Sequence, residues 1–316
     1  MKNIFLFGEC MIELMSAEKE QTSNTMKQSF AGDVFNTAVY LKRTFSDVKV
    51  QLVTAVGTDQ FSLDMIKYFE SENINADFVF KSATKIPGLY SIQLDDTGER
   101  SFTYWRENSA ARQVMQHIDD SVISQLSKGD MFFFSGISLA VIEPEARAEF
   151  WLLIEKLKIA GVQIVFDPNY RPRLWSSPEV AQAQFELALN MSNLALPGVD
   201  DFEQLFGMTT VEEVNQYCSQ FDLDELIIKN GEQGILVVAD DTKSEFAISP
   251  VANVVDTTSA GDSFNGVYLG ARLEGYSVSE AIALASKAAG FVIQHKGAIA
   301  PADEFTTFIK AQLASV

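Results

Sequence analysis

Seven short apolar runs recur along the chain, "NIFLFG", "VQLVTAVG", "DMFFFSG", "VQIVFD", "SNLALPG", "ELIIKNG" and "GILVVA", with longer amphipathic segments between them. Runs rich in Val, Ile and Phe that stop at Gly, Asp or Pro suit strands buried on both faces. Alternating with helices, they predict a parallel sheet in an α/β layered fold. Helices are predicted at Phe35 to Thr44, Asp59 to Glu72, Pro144 to Ala160, Pro178 to Met191, Asp200 to Phe206, Val211 to Phe221, Ala260 to Glu274 and Ser279 to Gln294. Gly161 and Gly275 stand where a left-handed residue stops a helix.

Two stretches break this alternation, roughly Met11 to Ala31 and Gly88 to Arg106. The second, "GLYSIQLDDTGERSFTYWR", alternates side-chain type around "DDTG", a hairpin signal. Both are expected to form a small β flap, or lid, projecting from the sheet. Without a Pro/Ser linker, low-complexity tract or repeat, residues 1–316 are read as a single domain carrying this lid.

Composition acts mainly by exclusion. With 47% hydrophobic residues in 316, a large core is affordable, and the net charge of −19 opposes encounter with nucleic acid or an anionic membrane. Glu9 and Glu13 interrupt the first apolar run before a signal-peptide core forms, and no segment reaches the roughly 18 apolar residues of a membrane span. Cys10 and Cys218 are too few for a disulfide framework, so a cytoplasmic location is expected. His117 and His295 lack a paired metal-ligand spacing. There is no Gly-x-Ser-x-Gly elbow and no G-x-G-x-x-G after the first strand, which disfavours a hydrolase or a dinucleotide fold.

The chemistry concentrates in "VVDTTSAGDSFNG", Val254 to Gly266. Small residues at Ser259, Ala260 and Gly261 let backbone N–H groups approach a ligand where a helix begins, an end that favours anions. A carboxylate at Asp262 would lie beside that anion site and could take a proton from an attacking hydroxyl; a simple capping turn is the competing reading. Earlier, "FAGDVFNTA" places Gly32 and Asp33 before a helix with Asn36 in its first turn, short polar groups suited to sugar hydroxyls or to an ordinary N-terminal cap.

Together these segments resemble the PfkB or ribokinase-like family of carbohydrate kinases over nearly the whole chain. The resemblance implies a mostly parallel central sheet with helices on both faces and a β lid. It also implies an early sugar-binding "GG...N" element, here with Ala31 before Gly32, and a late "DTxGAGD" element, here Asp256 to Asp262 with Ser259 in place of a glycine. By this resemblance Asp262 is the general base toward the γ-phosphate of ATP, with Ser259, Ala260 and Gly261 cradling the transferring charge. ATP and Mg²⁺ are then the implied cofactors. Thr257 and Gly261 fall on the nucleotide side. Lys229, Gly231 and Gly234 in "IIKNGEQG" resemble the segment bordering the ATP phosphates, and Lys287 falls where many relatives carry an adenine-side asparagine. The family's "NxxE" element corresponds to Gly198, Val199, Asp200 and Asp201, so Asp201 is implied to hold Mg²⁺ through water.

Two further segments, "TYWRENSAA" and "DPNYRPRLW", set an arginine beside aromatics, and a planar guanidinium suits a carboxylate. They resemble the 2-keto-3-deoxygluconate kinases of that family. This implies an acid sugar held by Tyr90, Tyr104, Arg106 and Arg171 with Gly32, Asp33 and Asn36; Arg171 could equally face the γ-phosphate. The implied partners are a small sugar acid and ATP, with self-association through the lid as a further expectation. A neutral-sugar kinase such as a fructokinase, and a catalytically silent sugar-binding protein, are the alternatives.

Overall fold

The computed structural model describes residues 1–16, 25–94, 100–240 and 242–314; the "DDTG" turn lies outside these residues, as does part of the first lid stretch. Thirteen strands are described: β1 Asn3–Phe7, β2 Met11–Ser16, β3 Met26–Ala31, β4 Lys49–Val56, β5 Asn75–Lys81, β6 Leu89–Leu94, β7 Arg100–Trp105, β8 Met131–Ser135, β9 Gln163–Asp167, β10 Leu194–Ala195, β11 Glu225–Lys229, β12 Ile235–Ala239 and β13 Thr242–Phe246. Nine form one sheet in the order β13-β12-β11-β10-β9-β8-β1-β4-β5, and the other four form a second in the order β3-β2-β6-β7.

All seven apolar runs are strands of the large sheet. Their side chains divide by the two-residue period of a strand. Ile4, Leu6, Met131, Phe133 and Val165 enter one core, whereas Phe5, Phe7, Phe132, Phe134, Ile164 and Phe166 enter another. A sheet buried on both faces explains why these runs are continuous rather than alternating.

The sheet is not parallel throughout: β12 and β13 run antiparallel to their neighbours. A connection as short as "NGEQG", turning through Gly231 at φ +52° and Gly234 at φ +124°, can only reverse the chain, because a parallel crossover needs a dozen residues or more.

Most helices fall where the apolar spacing puts them, from Asp33–Thr44 to Val278–Val292. Gly161 and Gly275 do take left-handed conformations, φ +85° and +86°. The predicted Val211 to Phe221 helix stops at Cys218, and Pro144 opens a 3-10 turn ahead of the Arg147–Ile159 helix. Strand β5 and the helices Asp120–Leu126, Gly136–Val141 and Ala302–Leu313 had no counterpart in the sequence reading.

The helix Ala260–Leu273 packs against both Asp33–Thr44 and Val278–Val292. A Cβ on Gly266 would lie 2.3 Å from the Thr37 carbonyl oxygen, so only glycine lets the first two helices touch this closely. That contact brings "AGDVFN" against "SAGD". No helix among the described residues is long and apolar enough to cross a membrane.

Candidate active site

The carboxyl ends of the parallel strands open on one crevice, the usual ligand position in open α/β sheets. Ser135 ends β8, Asp167 ends β9, Lys229 ends β11, and Asp201 follows β10 within the helix Val199–Phe206. Two helix starts, at Asp33 and Ala260, complete the floor.

Asp262 stands in the first turn of the Ala260–Leu273 helix and accepts a hydrogen bond from Asn36 Nδ2 at 2.8 Å. Burial pushes its carboxyl up to about 7, the neighbouring Asp33 charge adds to the rise, and the Asn36 bond offsets part of it. A carboxylate poised there can accept a proton at ordinary pH. Beside it, Gly261 faces open space, since an added Cβ would meet nothing within 4 Å.

The expected backbone cradle is narrower than Ser259 to Gly261. The Ala260 N–H is already donated to the Thr257 carbonyl at 3.2 Å, because the chain turns tightly into the helix. The Gly261 and Asp262 N–H groups have no backbone acceptor among the described residues, as expected at a helix start. Ser259 takes φ +65°, a left-handed conformation that glycine adopts more readily.

At the other helix start, Gly32 precedes the Asp33–Thr44 helix, and a Cβ there would come within 2.3 Å of the Glu9 carbonyl oxygen. Close approach, rather than an unusual φ, therefore demands glycine. Asp33 accepts from Ser135 Oγ at 2.5 Å and Asn169 Nδ2 at 3.3 Å, and burial raises its carboxyl above the ordinary value.

The four-stranded sheet supplies Tyr90 and Tyr104, and Arg106 follows directly after β7. Tyr90 is buried and donates its hydroxyl to Glu13, which also receives the Ser29 hydroxyl at 2.7 Å; burial, then the Glu13 charge, raise the phenol well above its ordinary range. Tyr104 stacks on Tyr90 at 5.7 Å and has the Arg173 guanidinium 5.8 Å from its ring centre. Arg106 is buried against Glu9, with Nη2 on Glu9 Oε2, while its Nε has no partner among the described residues. The arginine read as a free carboxylate receptor thus already holds an anion. Because that anion sits 97 residues away in sequence, the pairing was invisible beforehand.

Arg171 is half exposed. It donates from Nη1 to the Tyr170 carbonyl and lies 3.8 Å from Asp201. Asp201 accepts from the Tyr170 N–H at 2.8 Å. Its carboxyl is pushed up to about 6, first by burial and then by the charge of Asp167, with Arg171 and Lys229 opposing. A hard cation would relieve this crowding of oxygen anions, and carboxylates that leave most positions to water and phosphate suit Mg²⁺. Among the described residues, no three acidic, His or Cys side chains could hold a metal by themselves.

Lys229 is partly buried and bonds to Asp167 and Asn265. Gly231 and Gly234 form the turn beyond it, Thr257 is exposed in the turn that leads into the Ala260–Leu273 helix, and Lys287 is exposed on the Val278–Val292 helix. Sequence reading missed Glu9, Glu13, Ser135, Asp167, Asn169 and Asn265. Asp167 and Ser135 carried a usable signal, as polar residues closing apolar strands.

The family profile described as pfkB family carbohydrate kinase matches residues 1–304. A 2-dehydro-3-deoxygluconokinase of Haemophilus influenzae is 40% identical over 305 residues, covering 95% of this chain and 96% of that protein. A 2-dehydro-3-deoxygluconokinase of Dickeya dadantii is 39% identical over 306 residues, covering 95% and 97%. In fold, an E. coli protein assigned as a ribokinase II and solved with ATP and Mg²⁺ superposes with a TM-score of 0.83 at 21% identity, covering 98% of this chain and all of that one. With a profile match across nearly its whole length, the chain belongs to the pfkB family of carbohydrate kinases.

Proposed function

We propose that this kinase transfers the γ-phosphoryl group of ATP to the primary hydroxyl of 2-keto-3-deoxygluconate, giving the 6-phosphate. The observation that supports it most is Asp262, raised to about 7 beside an open helix N-terminus and bonded to the Asn36 side chain. Identity of 39–40% to two 2-dehydro-3-deoxygluconokinases supports the choice of sugar acid.

In this reading Asp262 takes the proton of the attacking hydroxyl, and the Gly261 and Asp262 N–H groups stabilise charge on the transferring oxygens. ATP supplies the phosphoryl group, and Mg²⁺ neutralises its oxygens when bound. Asp201 would hold that ion through water. Gly32, Asp33 and Asn36 orient the sugar hydroxyls. Arg106, with one edge committed to Glu9, offers its remaining N–H groups to the carboxylate, flanked by Tyr90 and Tyr104. Arg171, beside Asp201, is assigned to the phosphate side. The four-stranded sheet acts as a lid that excludes water, a competing phosphoryl acceptor. A cytoplasmic enzyme working as one domain is the corresponding setting.

The test is ADP release with ATP and Mg²⁺, comparing 2-keto-3-deoxygluconate, its galactonate epimer, fructose, ribose and a no-sugar control. Preference for the acid sugars is expected. Faster turnover of fructose would move the assignment to a neutral-sugar kinase and make Arg106 structural.

A further inference from the structure

Lys229 sits at the carboxyl end of β11 with its ammonium against two acceptors, Asp167 Oδ1 at 3.2 Å and Asn265 Oδ1 at 3.1 Å. Asn265 Nδ2 in turn donates to Asp167 Oδ2 at 2.9 Å, which closes a ring of three side chains. Asn265 is fully buried one helical turn beyond Asp262, and Asp167 is buried at the end of β9. The amide gives an acceptor to the lysine and a donor to the acid at once. Aspartate would repel Asp167, and an apolar residue would lose both bonds.

An ammonium carries three N–H donors, so two are spent here and one is left. Two fixed acceptors also fix the direction of the third bond. A free lysine gives up rotamer entropy when it is immobilised. A lysine already tied down on both sides loses little of that on meeting a ligand. The electrostatic setting agrees: Lys229 lowers Asp201, while Asp167 raises both Asp201 and Asp262, so the ring stands within electrostatic reach of the proposed metal-side acid and the proposed base.

We infer that Asp167 and Asn265 are positioning residues that pin Lys229 so that its remaining N–H meets the phosphoryl oxygens of the nucleotide during transfer. This rests on the kinase reading above. It adds two residues, from β9 and the Ala260–Leu273 helix, that no motif assigned to the nucleotide.

The experiment compares Lys229→Met, Asn265→Ala, Asp167→Asn and the Lys229→Met/Asn265→Ala double variant. Turnover is measured together with calorimetric binding of ADP and of adenosine, which lacks phosphate. Lys229→Met is expected to lower kcat ~100-fold or more, and Asn265→Ala ~10-fold or more, the scale for losing a preorganised donor. The sugar KM should stay within about threefold. ADP binding should weaken in each variant while adenosine binding holds, and the double variant should be no worse than Lys229→Met. Additive losses overturn the inference. So does an Asn265→Ala protein that loses heat stability alone, with kcat and ADP affinity intact. If Asn265→Ala does not fold, Asp167→Asn, which keeps the shape, decides by the same split. A wild-type protein inactive on every sugar would defeat the kinase reading, whereas the ADP and adenosine comparison still judges the lysine.

Discussion

Asn36 and Asp262 are 226 residues apart in sequence, yet Asn36 Nδ2 donates to Asp262 Oδ2 at 2.8 Å across the contact of two helices. The amide favours the charged form of the acid and so works against the burial that raises it. The same Asn36 side chain receives the Gly32 N–H at 3.3 Å, so the turn proposed to hold the sugar and the proposed base share one amide.

Asn36→Ala should move the acidic limb of the kcat/KM profile upward. In the wild type, activity is expected to rise with pH to a plateau above about 7, as Asp262 loses its proton. Without the amide that limb should shift by about 0.5–1 pH unit. An unmoved limb would mean that Asp262 is not the group being titrated.

Asp262→Asn should cut kcat by about 10³-fold or more while leaving ADP affinity within a few fold. It should also change stability. An acid raised from 3.8 to about 7 stays protonated in the folded state after the unfolded chain has ionised, so it lowers stability as pH climbs from about 4 to 7. Replacing it should therefore stabilise the protein at pH 8, by on the order of 1–3 kcal/mol, and change little at pH 4. Urea unfolding at the two pH values reads the difference.

Arg106→Ala should be costly to the fold as well as to substrate binding. It leaves Glu9 as an unpaired buried charge, for which about 3–5 kcal/mol is the usual cost. Adding Glu9→Gln should recover a large part of the loss in urea midpoint. The double variant should still show a raised KM for the acid sugar and little change for a neutral one; equal effects on both would leave Arg106 as scaffold.

Ser259→Gly should stabilise the chain by up to about 1 kcal/mol, because Ser259 occupies a left-handed conformation at the helix start. Ser259→Ala keeps the Cβ and should bring no such gain. Thermal midpoints of the two variants are the check, and a gain from both would point to the hydroxyl instead of the backbone.

Much of the architecture was legible because its signals are local. Phe132, Phe133 and Phe134 read as a buried strand by themselves, and Gly275 announced a helix end. Asp262, Asn36 and Lys229 were likewise found through short motifs. What escaped was pairing at a distance. Arg106 is distinctive in sequence, but nothing around it names Glu9; Lys229 likewise gives no sign of Asp167, 62 residues earlier. The orientation of β12 and the spent Ala260 N–H depended on turn geometry. Strand β5 was missed because "NADFVFK" lacks a long apolar run, and Ala302–Leu313 because only Phe305 and Ile309 of that helix are buried.

Asp33, Asp167, Asp201 and Asp262 surround one crevice in a chain of net charge −19, and each ligand proposed for it is also an anion. Anionic substrates are expected to meet a repulsive potential on the way in, so added salt, by shortening its reach, should hasten capture of the sugar acid instead of slowing it, which kcat/KM against ionic strength would read. Nucleotide stripped of its metal faces the steepest climb. The expected consequence is a charge filter, with ATP alone captured more slowly than ATP with Mg²⁺; nucleotide association rates with and without the metal are the check.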